Sequence, residues 1–482
     1  MSTYSKGDTN FTGQVKALLN KIYGSSPLKD SVLERAIAYY ELRDFTQLKL
    51  DDLARNIATQ KAKSDDKSAV RIVKLERDQK EYYRELAFER HERFQHLHAI
   101  CLEILELSEA ESFDETNRKS AKLLGTIQLI SPTEGQKVAL TNEVNKPLYK
   151  GILTLRLLDQ LCLEKLLPNG YIDQILQQTD SVNYENLATE NNEVYQRFVE
   201  RVKIPLLMAA ILQDIGTYHP DAQNIILGGN GENDHFRTLK VEERKALLQI
   251  NYRETVKYLI DGIGAPMYLG NSKAERDNFN QVEANKLLFI KHLLKSSVQP
   301  KQGLGNLLKV PQIYASIVLS TKESYNYKLL PKVYQALYQN AERGICRKDV
   351  VDLLYKITGA FPQGYGITFI PSDIDGNVRY EYGVVTQLYP ENPTEPVCRS
   401  ATRNLAFIGH GHDVTVIKNS NLYYVETAKK FSRISKERLN EILELLSSNY
   451  QERQSLDLLP RCWQPTEYFS TKNHQKLWNR SQ

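Results

Sequence analysis

The chain has 482 residues, 41% of them hydrophobic and 25% charged, which excludes a disordered or membrane-embedded polypeptide and implies two or three packed units. Its formal net charge of +4 is too small to demand nucleic acid or an anionic membrane as partner. The start, MSTYSKGDTNFTGQVKALL, lacks the apolar run of an export signal, and no stretch approaches the roughly 18 apolar residues of a membrane span, so a cytoplasmic location is expected. Five scattered cysteines without a CxxC pair argue against a disulfide framework or a thiolate zinc site and read as small buried hydrophobes.

In chain order, residues 28–60 carry apolar positions at helical spacing, Val32, Leu33, Ala36, Ile37 and Tyr40, then Leu50, Leu53 and Ile57, which predicts two short helices. Residues 65–108 form a longer, heavily charged helix. Within it Phe94, Leu97, Cys101 and Ile104 make a seam of barely one and a half heptads, read as an amphipathic helix packed on its own domain. SPTEGQ at 131–136 punctuates the chain, an apolar helix follows at 148–167, and the polar run at 179–193 reads as a loop. Helices are predicted at 194–215, 240–262, 278–297, 311–322, 331–342 and 348–357. After Gly359, β-branched and aromatic runs at 367–370, 380–388, 405–408, 414–417 and 422–425 predict a small antiparallel sheet, followed by a helix at 435–446 and a polar tail holding Trp463 and Trp478. The fold class is therefore mainly α with a small C-terminal antiparallel β part, and the domains are placed at 1–190, 191–372 and 373–482.

The segment LLMAAILQDIGTYHPDAQNIILGG (206–229) resembles the HD-GYP phosphohydrolase hallmark, in which an apolar helix ends in His-Asp-Ile-Gly-Lys before a Pro and an Ile-Leu. Gln213 stands where that family has its metal-binding histidine, Asp214 keeps the aspartate, and Thr217 replaces the lysine. RTLKVEERKALLQINYRETVKYLIDGIG (237–264) is similar to the next family element, with Asn251 at the position of a second metal-binding histidine. KVPQIYASIVLSTKESYNYKLLPKVYQALYQN (309–340) resembles the region after the GYP motif without its aspartate ligand, and VVDLLYKITGAFPQGYGITFIP (350–371) is similar to the closing helix and strand. The signature GYP itself, expected near 296–305, is absent from SVQPKQGLG. The resemblance covers roughly 194–390 and implies an HD-domain-like helical core behind an N-terminal helical region.

Counting histidines leads the same way. A multi-metal phosphodiesterase site needs several imidazoles converging with carboxylates, to acidify a bound water and clamp phosphoryl oxygens. Between residues 99 and 409 the chain has His219, His235 and His292 alone. No metal and no cofactor is expected. His292 reads as a satisfied core residue, His235 as a solvated loop residue, and His410, His412 and Asp413 as a hairpin turn between the strands at 405–408 and 414–417.

A groove without its metal can still take an anion. Gln213, Asp214 and Asn251, with Arg237, Arg244, Arg253, Arg276, Lys309 and Lys322 supplying charge and Tyr252, Tyr314, Tyr325 and Tyr327 supplying ring faces, are the candidate ligand-binding residues. Arg379, Arg399 and Arg403 form a second basic spot, read as structural or solvated, and GGNG at 228–231 is a turn, since no GK[ST] follows it. The leading expectation is a catalytically silent HD-GYP-like signalling protein that binds a cyclic dinucleotide, cyclic di-GMP by the resemblance, or a protein partner through its N-terminal helices. An active phosphohydrolase remodelled around Asp214 and His219, and a helical scaffold with no small ligand, are the alternatives.

Overall fold

The computed structural model of the chain describes residues 7–63, 66–166, 169–176, 184–298, 300, 303–371, 380–404, 406–431, 437 and 460–479. The principal helices are α1 (Asn10–Ile22), α2 (Val32–Lys61), α3 (Asp66–Ser108), α4 (Phe113–Ile130), α5 (Lys137–Leu163), α6 (Gly170–Leu176), α7 (Leu187–Glu190) and α8 (Asn192–Phe198). They continue as α9 (Ile204–Leu212), α10 (Pro220–Leu227), α11 (Val241–Lys257), α12 (Lys273–Val298), α13 (Asn306–Val318), α14 (Val333–Glu342), α15 (Lys348–Thr358), α16 (Val425–Phe431) and α17 (Thr466–Phe469). The strands are β1 (Gly366–Phe369), β2 (Glu381–Val385), β3 (Val397–Ser400), β4 (Thr402–Arg403), β5 (Ala406–Phe407) and β6 (Asp413–Thr415). The protein is thus mainly α with a small antiparallel β part toward the C-terminus, as its periodicity predicts. No helix among the described residues is long and apolar enough to cross a membrane.

Two compact units interleave along the chain. One comprises Met1–Leu19, Glu103–Phe198 and Gln299–Gln482, the other Asn20–Leu102 and Val199–Val298. Each unit is completed by helices distant in sequence.

In the second unit, α2 begins at a capping box. The Ser31 hydroxyl accepts the Glu34 N–H at 3.2 Å, and the Glu34 carboxylate accepts the Ser31 N–H at 3.1 Å. No Pro or Gly interrupts 32–61, so one continuous helix of 30 residues replaces the two short ones expected. Leu50, Leu53 and Ile57 of α2 and Ile72, Leu75, Tyr82 and Leu86 of α3 are the more shielded positions of the two helices and recur at three- and four-residue steps. Lys61 pairs with Glu76 at 2.8 Å, Lys49 lies over the Tyr82 ring at 3.6 Å, and Ser68 donates to Gln60 at 3.4 Å. The two helices therefore form an antiparallel hairpin, and the seam recognised at Phe94–Leu97 extends toward the start of α3 and closes within the chain.

The remaining helices of this unit give the site its frame. Every residue of α9 is buried, and α9 packs on α12. A 3-10 turn at Ile215–Tyr218 packs on α11, which widens into a π-helical turn at Tyr258–Ile263. Arg93 Nε donates to the Gly262 carbonyl at 2.6 Å and Arg90 Nε to that of Ile263 at 3.4 Å, satisfying carbonyls left open where the turn ends.

In the first unit, α5 is buried almost throughout from Asn145 to Leu161 and packs against α4, α13 and α15. It begins well before residue 148, running through Pro147. The larger sheet has the order β1-β2-β3-β6, all antiparallel, and β4 pairs with β5. Its aromatic core stacks Tyr382 on Trp463 at 4.8 Å beside Tyr468. β3 was not foreseen because VCRS carries a charge, which the fold hides: Arg399 pairs with Asp413 at 3.0 Å and donates to the Gly411 carbonyl at 2.9 Å.

Other local expectations shift. Residues 422–425 form no strand; Asn421 makes an isolated bridge to Phe369, and α16 starts at Val425. The 410–413 segment joins β5 of one sheet to β6 of the other and is not a hairpin. Residues 184–193 are a 3-10 turn followed by α7 and the start of α8, where a loop was expected. The helix predicted at 435–446 lies outside the described residues apart from Glu437, and Arg379 lies outside them as well. All five cysteines are free, with Cys101, Cys346 and Cys398 buried.

Candidate functional site

The end of α9 delivers Gln213 and Asp214, and Gly216 brings the chain against α11. A Cβ on Gly216 would lie 2.9 Å from the Thr255 nitrogen and closer still to the Asn251 main chain, so only glycine permits this approach. The approach places Gln213 and Asn251 side by side. Asn251 Nδ2 donates to the Gln213 carbonyl at 3.2 Å, Thr255 Oγ1 donates to Asn251 Oδ1 at 3.3 Å, and the Gly216 N–H donates to Thr255 Oγ1 at 3.0 Å. Both ends of the Asn251 amide are thereby spent as a clasp between two helices. Gln213 Oε1, also buried, meets no protein donor.

Next to the clasp lies a buried ion network that sequence reasoning missed. Glu254, 1% exposed, receives Arg43 at 2.5 Å, Arg253 at 2.6 Å and Lys257 at 3.4 Å. The Tyr40 hydroxyl donates to the Glu254 carbonyl oxygen at 3.3 Å, and its ring meets the His219 ring edge-on at 5.2 Å. His219 Nδ1 accepts the Asp221 N–H at 3.2 Å and caps α10, while Nε2 lies 3.2 Å from Arg43 Nη2 and 3.7 Å from Glu254. A signal existed: Glu254 follows Asn251 by three residues and precedes Tyr258 by four, which puts a carboxylate on the buried face of α11.

Burial pushes the Glu254 carboxyl up, but the hydrogen bonds from Arg253 and Arg43, with His219 nearby, outweigh it and hold the pKa at about 2. Burial lowers the His219 pKa against the opposing pull of Glu254, with Arg43 adding to the fall. Both shifts make the native state bind fewer protons than the unfolded chain, so stability falls on acidification. The His219 contribution is complete above its ordinary 6.5 and declines below it, and that of Glu254 is complete above 4.5 and is lost toward about 2. The urea midpoint is expected to be flat around neutrality, to decline as pH drops below 6.5, and to fall more steeply below 4.5. His219→Asn, which keeps an N-cap acceptor without titrating, should make the upper limb shallower and leave the lower one, the remainder of the upper limb coming from His96 and His474, whose pKa values burial also lowers.

The residues predicted to bind an anion have the following surroundings. Arg237 is consumed: Nε and Nη2 donate to the Ile226 and Ile225 carbonyls at 2.9 and 2.7 Å, and the guanidinium grips Glu243 at 3.0 Å on both sides. It ties the end of α10 to the start of α11. Arg253 serves Glu254, Arg276 lies 3.7 Å from Asp277, and Arg244 is exposed on α11. Lys309 and Lys322 belong to the other unit. So do Tyr314, Tyr325 and Tyr327, of which Tyr314 and Tyr327 are core residues with no face to offer a base. His292 is exposed on α12 and not in the core, because it falls on the outward face of that helix. His235 is half-buried beside Phe236.

Among the described residues no three His, Cys, Asp or Glu side chains are grouped to hold a metal ion. A crevice between Phe94, Met208, Leu259 and Ile290 leaves about 20 Å³, room for one water. A half-open cleft of about 670 Å³ in the first unit is lined by Glu109, Glu111, Thr189, Asn192, Tyr195 and Gln196 and is acidic. No protein-family model, no curated protein and no solved structure matches the chain.

Proposed function

We propose that the chain is a non-hydrolysing regulatory protein of the cytoplasm, whose HD-GYP-like unit works by binding a protein partner. The Asn251 clasp carries this reading. Metal-assisted phosphodiester hydrolysis needs lone pairs from imidazoles and carboxylates aimed at shared ions. At the two positions where the resemblance calls for histidine, this chain has amides, and that of Asn251 is occupied at both ends, Nδ2 by the Gln213 carbonyl at the end of α9 and Oδ1 by Thr255 of α11. The Asp214 and His219 alternative is weakened because His219 caps α10 through Nδ1 and turns Nε2 toward Arg43.

Cyclic di-GMP is supported less well than a protein. Its two phosphates call for guanidinium forks, yet Arg237 is spent on main-chain carbonyls and Glu243, and the lining of the 670 Å³ cleft includes Glu109 and Glu111 and no Arg or Lys. Calorimetry of the full chain against cyclic di-GMP tests the point. No binding heat is expected up to high micromolar ligand. Saturable binding that disappears in Arg244→Ala would restore the cyclic dinucleotide as the ligand.

A further inference from the structure

The outer face of α2 carries three large apolar side chains that the hairpin does not cover: Leu42, Phe45 and Leu48, exposed by 57%, 64% and 59%. At roughly 100° per residue they fall within an arc of about 120°, turned about a third of a turn away from the Leu50–Ile57 seam. Glu41 and Lys49, both exposed, stand in the same arc. The antiparallel register fixed by Lys49 over Tyr82 brings Phe88 of α3, 61% exposed, level with the Leu42 turn. Solvated coiled-coil outer faces are normally polar, and contiguous exposed apolar groups mark an interface.

The pattern reads the same in both directions about Phe45. Leu42 and Leu48 lie three residues either side of it, and Glu41 and Lys49 lie four residues either side with opposite charge. A two-fold axis through Phe45 would set two α2 helices antiparallel, Phe45 on its own copy, Leu42 against Leu48 of the second copy, and Glu41 against Lys49 of the second copy twice over. Self-complementarity of one patch is the requirement for an isologous dimer. A foreign helix would have no reason to match this order of charges. We infer that the α2 face centred on Phe45 is a homodimerisation surface whose occupant is the same face of a second copy of this chain. The inference does not rest on the functional proposal above.

Three large apolar groups per copy fall short of a standard-size interface, so the dimer is concentration-dependent. Sedimentation equilibrium of the full chain should show a mass rising from 55.4 kDa toward twice that value with concentration. Phe45→Glu should stay at the monomer mass with an unchanged circular dichroism spectrum. Glu41→Lys and Lys49→Glu should each weaken the dimer about fivefold, since each places two like-charged pairs across the axis. The double variant Glu41→Lys/Lys49→Glu should recover the wild-type dissociation constant. That recovery separates a pairing between copies from loss of the internal Lys49–Tyr82 contact, which the double variant lacks as well. A wild-type chain that stays monomeric at every concentration, a dimer that survives Phe45→Glu, or a charge swap that fails to recover association would overturn the inference.

Discussion

Glu254→Ala is expected to lower the unfolding free energy by about 3–5 kcal/mol, the usual cost of removing one partner from a buried charge cluster. The carboxylate neutralises Arg43, Arg253 and Lys257 at 2.5–3.4 Å while itself fully buried. Its loss leaves the Arg43 guanidinium, 27% exposed, facing His219 with the exposed Asp44 at 3.5 Å as its remaining carboxylate. Urea titrations should show the drop together with a flatter response below pH 4.5, because the titrating group is gone. Arg43→Met in the same background should recover part of the loss, since residues in one network are not additive. A change below about 1 kcal/mol would mean that the cluster behaves as a surface network.

Arg156→Ala should be as damaging in the first unit. This guanidinium is fully buried on α5, pairs with Glu109, and reaches Asp159 at 2.9 Å, while Tyr184 donates to the second Asp159 oxygen at 2.6 Å. Its Nε and Nη1 meet no protein acceptor, so its charge is balanced by the two carboxylates and not by a full set of hydrogen bonds. Without it, two carboxylates that are 10% and 4% exposed are left facing each other. The expected cost is again about 3–5 kcal/mol. Adding Asp159→Asn should restore a substantial part by relieving the like-charge repulsion. Equal losses for the single and double variants would show that Arg156 acts through packing alone.

Much of this architecture was legible. Apolar spacing alone located the longer helices between 194 and 357, because their buried faces, such as IPLLMAAIL in α9, are continuous, but it passed over the short α10. It misjudged α2, where Leu42, Phe45 and Leu48 step off the line that joins Tyr40 to Leu50, although nothing in 32–61 breaks a helix. β3 and the true partner of β6 were hidden by Arg399, a charge in a strand that is acceptable only when Asp413 and the Gly411 carbonyl arrive from elsewhere in the chain. The same limit governed the site. That amides stand at 213 and 251 was plain in the sequence, and the structure brings these two residues together. That Arg237 would fold back onto the end of α10 was not legible, since hydrogen bonds to main-chain carbonyls leave no mark in composition or spacing. Neither was the pairing of Arg43 with Glu254, because contacts 211 residues apart have no local signature.

The central claim is that the Gln213–Asn251 region holds helices together and does not hold catalytic metal. Elemental analysis of the full chain after incubation with Mn²⁺ or Fe²⁺ and desalting, run beside a phosphodiesterase assay on the same sample, addresses it most directly. The account predicts metal well below one ion per chain, no hydrolysis above buffer, and no change in either on Asp214→Ala. One or more tightly held ions per chain, with phosphodiester cleavage that vanishes together with the metal in Asp214→Ala, would contradict it.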